Sequence, residues 1–128
     1  MEKNAYLEKL SELSSSFKDT GIKSGLTYGQ ILCLKNYQDC LRHNSSAFEI
    51  TELPGDMYLE EFMVTLIMAD IYSFVITAKD TAVIEFLHLI KKRGWKITGL
   101  EVVNRKDTGC FGVYDYDVPG LRVSLNSM

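Results

Sequence analysis

The sequence predicts an α+β fold: two N-terminal helices, then a mostly antiparallel sheet with one or two helices packed on one face. Three observations predict it. Apolar residues recur at helical spacing over the first third of the chain. Ser73–Arg105 reads as strand, helix, strand, with turn chemistry at each change. The last twenty residues alternate with period two between turn signals. At 128 residues and 46% hydrophobic, the chain has the length of one domain and enough apolar side chain for a core without disulfides. The expected organisation is a single α+β domain over 1–128, with a sub-boundary near 43–47 between a helical hairpin and the sheet.

The first helix is expected over residues 4–17, from the stripe Leu7, Leu10, Leu13 and Phe17, with Glu2, Lys3, Glu8, Lys9 and Glu12 on the polar side. Ser14, Ser15 and Ser16 weaken its end, and Gly21 and Gly25 punctuate the loop. Thr27 is placed as the next N-cap, opening a helix over Tyr28–His43 through Ile31, Cys33, Leu34, Tyr37, Cys40 and Leu41. Gly29 weakens that helix by about 1 kcal/mol relative to alanine. Phe48, Ile50 and Leu53 against Glu49 and Glu52 predict a short strand, ended by Pro54-Gly55-Asp56. Met57–Ile71 fits a helix capped by Asp56, with Glu60 and Glu61 in its first turn, though Val64–Met68 would also pass as a buried strand.

Ser73–Ala78 is rich in aromatic and β-branched residues and predicts a buried strand. Asp80 is the N-cap of a helix carrying Val83, Phe86, Leu87 and Ile90, widened by Ile84 and Leu89. Lys91, Lys92 and Arg93 suit the negative end of its dipole, and Gly94 takes the C′ position. Ile97–Asn104 returns as a strand, giving a β-α-β unit or a split one with a further strand between. Lys106–Gly109 is read as a hairpin loop, Cys110–Asp117 as a strand, Val118-Pro119-Gly120 as a turn and Leu121–Asn126 as a last, half-buried strand.

Composition excludes more than it identifies. The net charge of −3 disfavours nucleic acid as a partner. The most apolar window, Phe62–Ala78, is interrupted by Asp70 and is shorter than a membrane span. Three cysteines without C-x-x-C argue against a disulfide framework or a zinc site, and the charged N-terminus shows no secretory h-region, so a cytoplasmic location is expected. Cys33 and Cys40, seven apart, have core spacing. His43 and His88 are isolated in sequence. No phosphate-loop, dinucleotide, zinc-protease or nucleophile-elbow motif is present, so no catalytic residue and no cofactor is assigned.

Two groups carry chemistry. Asp115 and Asp117 share one face of a strand, about 6–7 Å apart, and are a candidate Mg²⁺ or Ca²⁺ pair set against the simpler reading of a solvated strand face. Lys92, Arg93 and Lys96 flank Trp95 close to the Asp80 helix, a combination able to take phosphate or to stack on a base. Helix-terminus chemistry with a buried tryptophan explains the same residues.

The segment from Phe74 to Tyr116 resembles the first half of an ACT-type or other ferredoxin-like regulatory domain. SFVITAKD, the helix ending KKRGW, the strand KITGLEVVN and the hairpin to CFGVYDY follow the order β-α-β-β. The resemblance implies a small-ligand site at a helix–strand junction or between protomers. It covers about a third of the chain. No second helix follows, and Thr81-Ala82-Val83 stands where such domains have a glycine, so no binding residues carry over. The first functional expectation is a non-catalytic binding protein acting on another protein: an inhibitor, an immunity or anti-defence factor, or an adaptor. Its acidic groups Glu49/Glu52, Asp56/Glu60/Glu61 and Asp115/Asp117 would meet a basic partner. The alternatives are a ligand- or nucleotide-binding regulatory module, forming a homo-oligomer, and a metal-dependent enzyme on Asp115 and Asp117.

Overall fold

The computed structural model describes residues 3–19 and 25–125, with the backbone alone for 15–19. Glu2, Gly21, Asn126 and the Phe17 side chain, all given roles above, lie outside the described residues. Among the described residues the fold is α+β, with four α-helices and a four-stranded mixed sheet. The order is α1 (Ala5–Asp19), α2 (Tyr28–Arg42), β1 (Glu49–Ile50), a 3-10 turn (Asp56–Tyr58), α3 (Leu59–Met68), β2 (Ser73–Ile76), α4 (Ala82–Lys92), β3 (Lys96–Gly109) and β4 (Gly112–Ser124). The sheet runs β1-β2-β4-β3, with β1 parallel to β2 and β4 antiparallel to both neighbours. Strands β2 and β3 are therefore the two halves of a split β-α-β unit, with β4 inserted between them.

The helices form for legible reasons. Thr27 and Gln30 make a reciprocal capping box, Gln30 N–H to Thr27 Oγ1 at 3.1 Å and Thr27 N–H to Gln30 Oε1 at 2.9 Å. Gly29 is a requirement of packing. A Cβ there would lie 2.6 Å from Glu61 Cγ and 2.7 Å from Phe62 N, and the Gly29 N–H donates to Glu61 Oε1 at 2.7 Å. In the ambiguous 57–71 segment the helix wins, because Leu59, Phe62, Met63 and Leu66 bury together at three- and four-residue spacing. No side chain caps its start, so Asp56 does not act there. Asp80 Oδ1 accepts from Ala82 N–H at 3.0 Å at the entry of α4. Gly94 (φ 83°) closes that helix in the left-handed region, and Trp95 N–H reaches back to Ile90 O at 3.0 Å. Ile84, expected to widen the buried face of α4, is 72% exposed.

Three strand expectations are corrected. The Phe48–Leu53 strand shrinks to Glu49–Ile50, because buried Asn36 Oδ1 accepts from the N–H groups of Thr51 and Glu52 (2.8 and 3.0 Å) and ends the ladder. Lys106–Gly109 is strand, and the turn falls at Cys110–Phe111, with Gly112 at φ 112°. Val118-Pro119-Gly120 lies inside β4. The register explains the last point. Asn104 turns its N–H and C=O toward Ser46, so its antiparallel partner Asp117 turns its own peptide groups outward. Pro119, two residues on, faces the same open edge, where no N–H is required. Gly120 fits where a Cβ would meet Ile76 O at 2.6 Å.

One sheet face, through Phe74, Ile76, Ile97 and Val123, packs on the helices around Phe62, Phe86 and Trp95. The other face carries buried Val75 and Val103. The stretch before β1, the expected sub-boundary, bonds in both directions. Ser46 N–H reaches Asn104 O and Lys106 N–H reaches His43 O, while Val75 N–H reaches Phe48 O. The two edges of the sheet are thereby tied to one piece of chain. Among the described residues no helix is long and apolar enough to cross a membrane.

Candidate functional site

The tie at residues 43–50 is reinforced by a polar clasp. Glu49 is 1% exposed. Its carboxylate accepts from Arg105 Nε at 2.9 Å and Nη2 at 2.5 Å, from Ser45 Oγ at 2.6 Å and from Thr77 Oγ1 at 3.0 Å. Burial by itself would raise the Glu49 pKa. The hydrogen bonds from Arg105 and Ser45, the Arg105 charge and the Thr77 hydroxyl outweigh burial and hold it below the usual carboxylate range. The same pair pushes the Arg105 guanidinium further up. Arg105 lies 5.8 Å from the Tyr116 ring centre. Tyr116 donates to Asp107 Oδ2 at 2.6 Å, and His43 Nδ1 meets Asp107 Oδ1 at 2.6 Å. The Tyr116 and His43 hydrogen bonds hold Asp107 low as well. Among the described residues no buried side-chain nitrogen or oxygen lacks a partner, so the network is fully satisfied.

The spacing of this clasp follows from the pleat. Val103, Arg105 and Asp107 alternate onto one face of β3, opposite Val118, Tyr116 and Tyr114 of β4. A His–Asp pair can orient an imidazole for proton transfer. Here, among the described residues, no hydroxyl or thiol is bonded to His43, and the aspartate is shared with a tyrosine. The arrangement clamps the β3–β4 hairpin against the end of α2.

Beyond the clamp the hairpin overhangs the body. Strand β4 pairs with β2 only from Leu121 to Ser124, whereas it pairs with β3 back to Gly112. On the outer face Leu100 (85% exposed) and Val102 are exposed before the clamp, and Val113 beyond it. At its apex Phe111 is fully exposed beside the exposed thiol of Cys110. This face continues the one that carries Ile76 and Val123 against the helices, past the point where the helices end. Tyr114 stacks on Tyr116 at 5.9 Å and lies against Gly109, stiffening the inner side of the arm.

A family model described as "Domain of unknown function (DUF7698)" matches residues 33–125, which is more than half of the chain. The chain belongs to that family. The DUF7698 match takes in the whole sheet, the clasp and the arm, and begins within α2. No curated protein and no solved structure matches the chain.

The residues singled out from sequence fall at three places. Trp95 is 5% exposed, with its ring against Phe74 at 5.6 Å, so its faces are inside the core. Arg93 pairs with Glu60, Asp80 accepts from Ala82 N–H one residue before the N-cap Thr81 of α4, and Lys92 and Lys96 are exposed. Asp115 and Asp117 lie on the outer face of the arm, opposite Lys106 and Asn104, and Asn104 Nδ2 donates to Asp117 at 3.2 Å. Among the described residues no three His, Cys, Asp or Glu side chains converge as a metal set. Of the acidic groups, Glu49 is in the clasp, Glu52 pairs with Lys35 at 2.6 Å, Glu60 pairs with Arg93, and Glu61 holds Gly29. Cys33 and Cys40 are buried thiols, pushed by burial up to about 12 and about 11, and so inert as nucleophiles at neutral pH. From sequence alone Arg105, Asp107 and Tyr116 carry no assigned role, His43 stands isolated, and Glu49 falls on an acidic face for a partner, whereas it is buried against Arg105. The available signal was the period-two spacing of Arg105 and Asp107, hidden by a hairpin turn placed four residues early.

Proposed function

We propose that this DUF7698 protein is a small non-catalytic binding protein that acts through contacts with another protein, as an inhibitor, an immunity or anti-defence factor, or an adaptor. The observation that carries the reading is the overhanging arm: an apolar apex and outer face whose base is fixed to the body by a buried ionic clasp. Apolar surface presented in this way is the usual material of a protein contact. Asp115 and Asp117 on the same face bias the choice toward a partner with basic residues between apolar ones. The test is stoichiometric co-isolation from the host with wild-type protein and with Phe111→Ser/Val113→Ser at equal abundance. A partner recovered with wild type and lost with a variant of unchanged melting temperature supports the reading. Equal recovery with both proteins refutes it.

A second reading is a ligand-binding regulatory module with an ACT-like, ferredoxin-like half. The split β-α-β connection through α4 supports it. A thermal-shift screen with nucleotides and divalent ions separates the two readings, since a saturable shift with these belongs to the second only.

A further inference from the structure

Away from the arm, a cleft of about 380 Å³ opens between the start of α1, the middle of α2 and the turn from α3 into β2. Its volume lies in the range of small-molecule sites. Phe48 and the exposed Tyr72 line it with aromatic rings, and Tyr37, 1% exposed, adds little surface. Asn4, Ile71 and Ser73 complete it, together with a single carboxylate, Asp70.

The polar groups of the cleft are unequally engaged. Asn4 is committed to the fold: its N–H donates to Tyr37 Oη at 2.8 Å, its Nδ2 to Ala69 O at 2.8 Å, and its Oδ1 accepts from Leu7 N–H at 3.0 Å. Ser73 accepts from Arg122 at 2.9 Å and lies 3.4 Å from Ser124 Oγ. Arg122, the cation nearest to Ser73, is itself paired with Glu101. Asp70 receives one hydroxyl, from Tyr72 at 2.9 Å, and among the described residues it has no cationic partner.

The backbone at Asp70 adds a second argument. Asp70 follows α3 at φ 58°, with its N–H on Ile67 O and Ile71 N–H on Leu66 O. This is the left-handed stop at which glycine is the favoured residue. An aspartate there carries a conformational cost that glycine would not, and it places a carboxylate at the mouth of an aromatic cleft.

We infer that this cleft binds an alkylammonium group, with Asp70 as counter-ion and the rings of Phe48 and Tyr72 as its aromatic walls. Ring faces attract cations through their quadrupole, and a methylated or alkylated ammonium is the cation that also rewards apolar walls. The group could belong to a free amine or to a lysine side chain of a protein. The site is separate from the arm and does not depend on the reading above.

The test is two-dimensional NMR of the full chain titrated with tetramethylammonium, n-butylammonium and the tripeptide acetyl-Gly-Lys-Gly-amide. tert-Butanol and propionate serve as neutral and anionic controls. Saturable shifts confined to Phe48, Asp70, Ile71, Tyr72 and Ser73 with the ammonium probes, and absent with both controls, are expected. Tighter binding of the tripeptide than of butylammonium assigns a lysine source, and the reverse order assigns a free amine. Asp70→Asn should weaken the ammonium probes at least fivefold. Asp70→Gly, which relaxes the backbone, should weaken them equally while raising the melting temperature. Equal response to tert-butanol, or unchanged affinity in Asp70→Asn, overturns the inference.

Discussion

Replacing Arg105 by methionine removes the one cation that, among the described residues, pairs with the Glu49 carboxylate, which is 1% exposed. The aliphatic stem is kept, so the loss is chiefly electrostatic. Removing one partner of a buried pair costs about 3–5 kcal/mol, because a charge is left without compensation. Ser45 and Thr77 still donate to Glu49, which favours the lower end, about 3 kcal/mol. For a urea m-value of about 1.5 kcal/mol per molar, the midpoint falls by about 2 M. The deficit also depends on pH, with a fixed sign. Without Arg105, burial dominates and the folded-state pKa of Glu49 rises above its unfolded value. The variant then gains relative to wild type as pH falls from 7 toward 5, where Glu49 takes up a proton. Arg105→Met/Glu49→Leu should recover only part of the loss, since it removes the uncompensated charge but leaves the buried Ser45 and Thr77 hydroxyls without their acceptor. A loss below about 1 kcal/mol for Arg105→Met, the worth of a solvent-screened surface pair, would refute the clasp.

Other expectations follow from the same geometry. Glu49 and Asp107 both have depressed pKa values in the folded protein. Their contribution is present above the unfolded carboxylate values, about 4, and is lost as pH falls through the lower folded ones. Thermal melts from pH 7 to 2 should show a steep acid loss that Glu49→Gln flattens. Gly29→Ala should destabilise by about 1–3 kcal/mol in urea despite its better helix propensity, because its methyl meets Glu61 and the Phe62 backbone. Asp115→Val/Asp117→Val should leave the fold intact but cause concentration-dependent aggregation by light scattering, because these carboxylates guard the open edge of β4. Unchanged solubility would argue against that role.

Much of the fold was legible in the residues. The Thr27 cap, the Gly94 end of α4 and the strand–helix–strand order are local chemistry, and each stands where its signal points, while Asp80 bonds the entry of α4 one residue before its N-cap, Thr81. What escaped was set by distant partners. Gly29 reads as a flaw until α3 crosses it. Glu49 reads as the wet side of an alternating strand until Arg105, 56 residues later, reaches it. Pro119 and Gly120 read as a turn because a strand tolerates them only at an open edge and at a close approach, neither visible in one dimension. The clasp therefore could not be found without the register of β3 on β4, and the arm could not be seen as an overhang without knowing how little of β4 is paired with β2.

The proposed contact role of the arm is tested most directly by a photo-crosslinking amino acid placed at Phe111, at Val102 and, as a control on the body, at Lys91. The variants are irradiated in the host cell at equal abundance. The account predicts one discrete adduct of the same mass from positions 111 and 102 and none from 91. Unreacted protein at both arm positions, or the same adducts from Lys91, would contradict it.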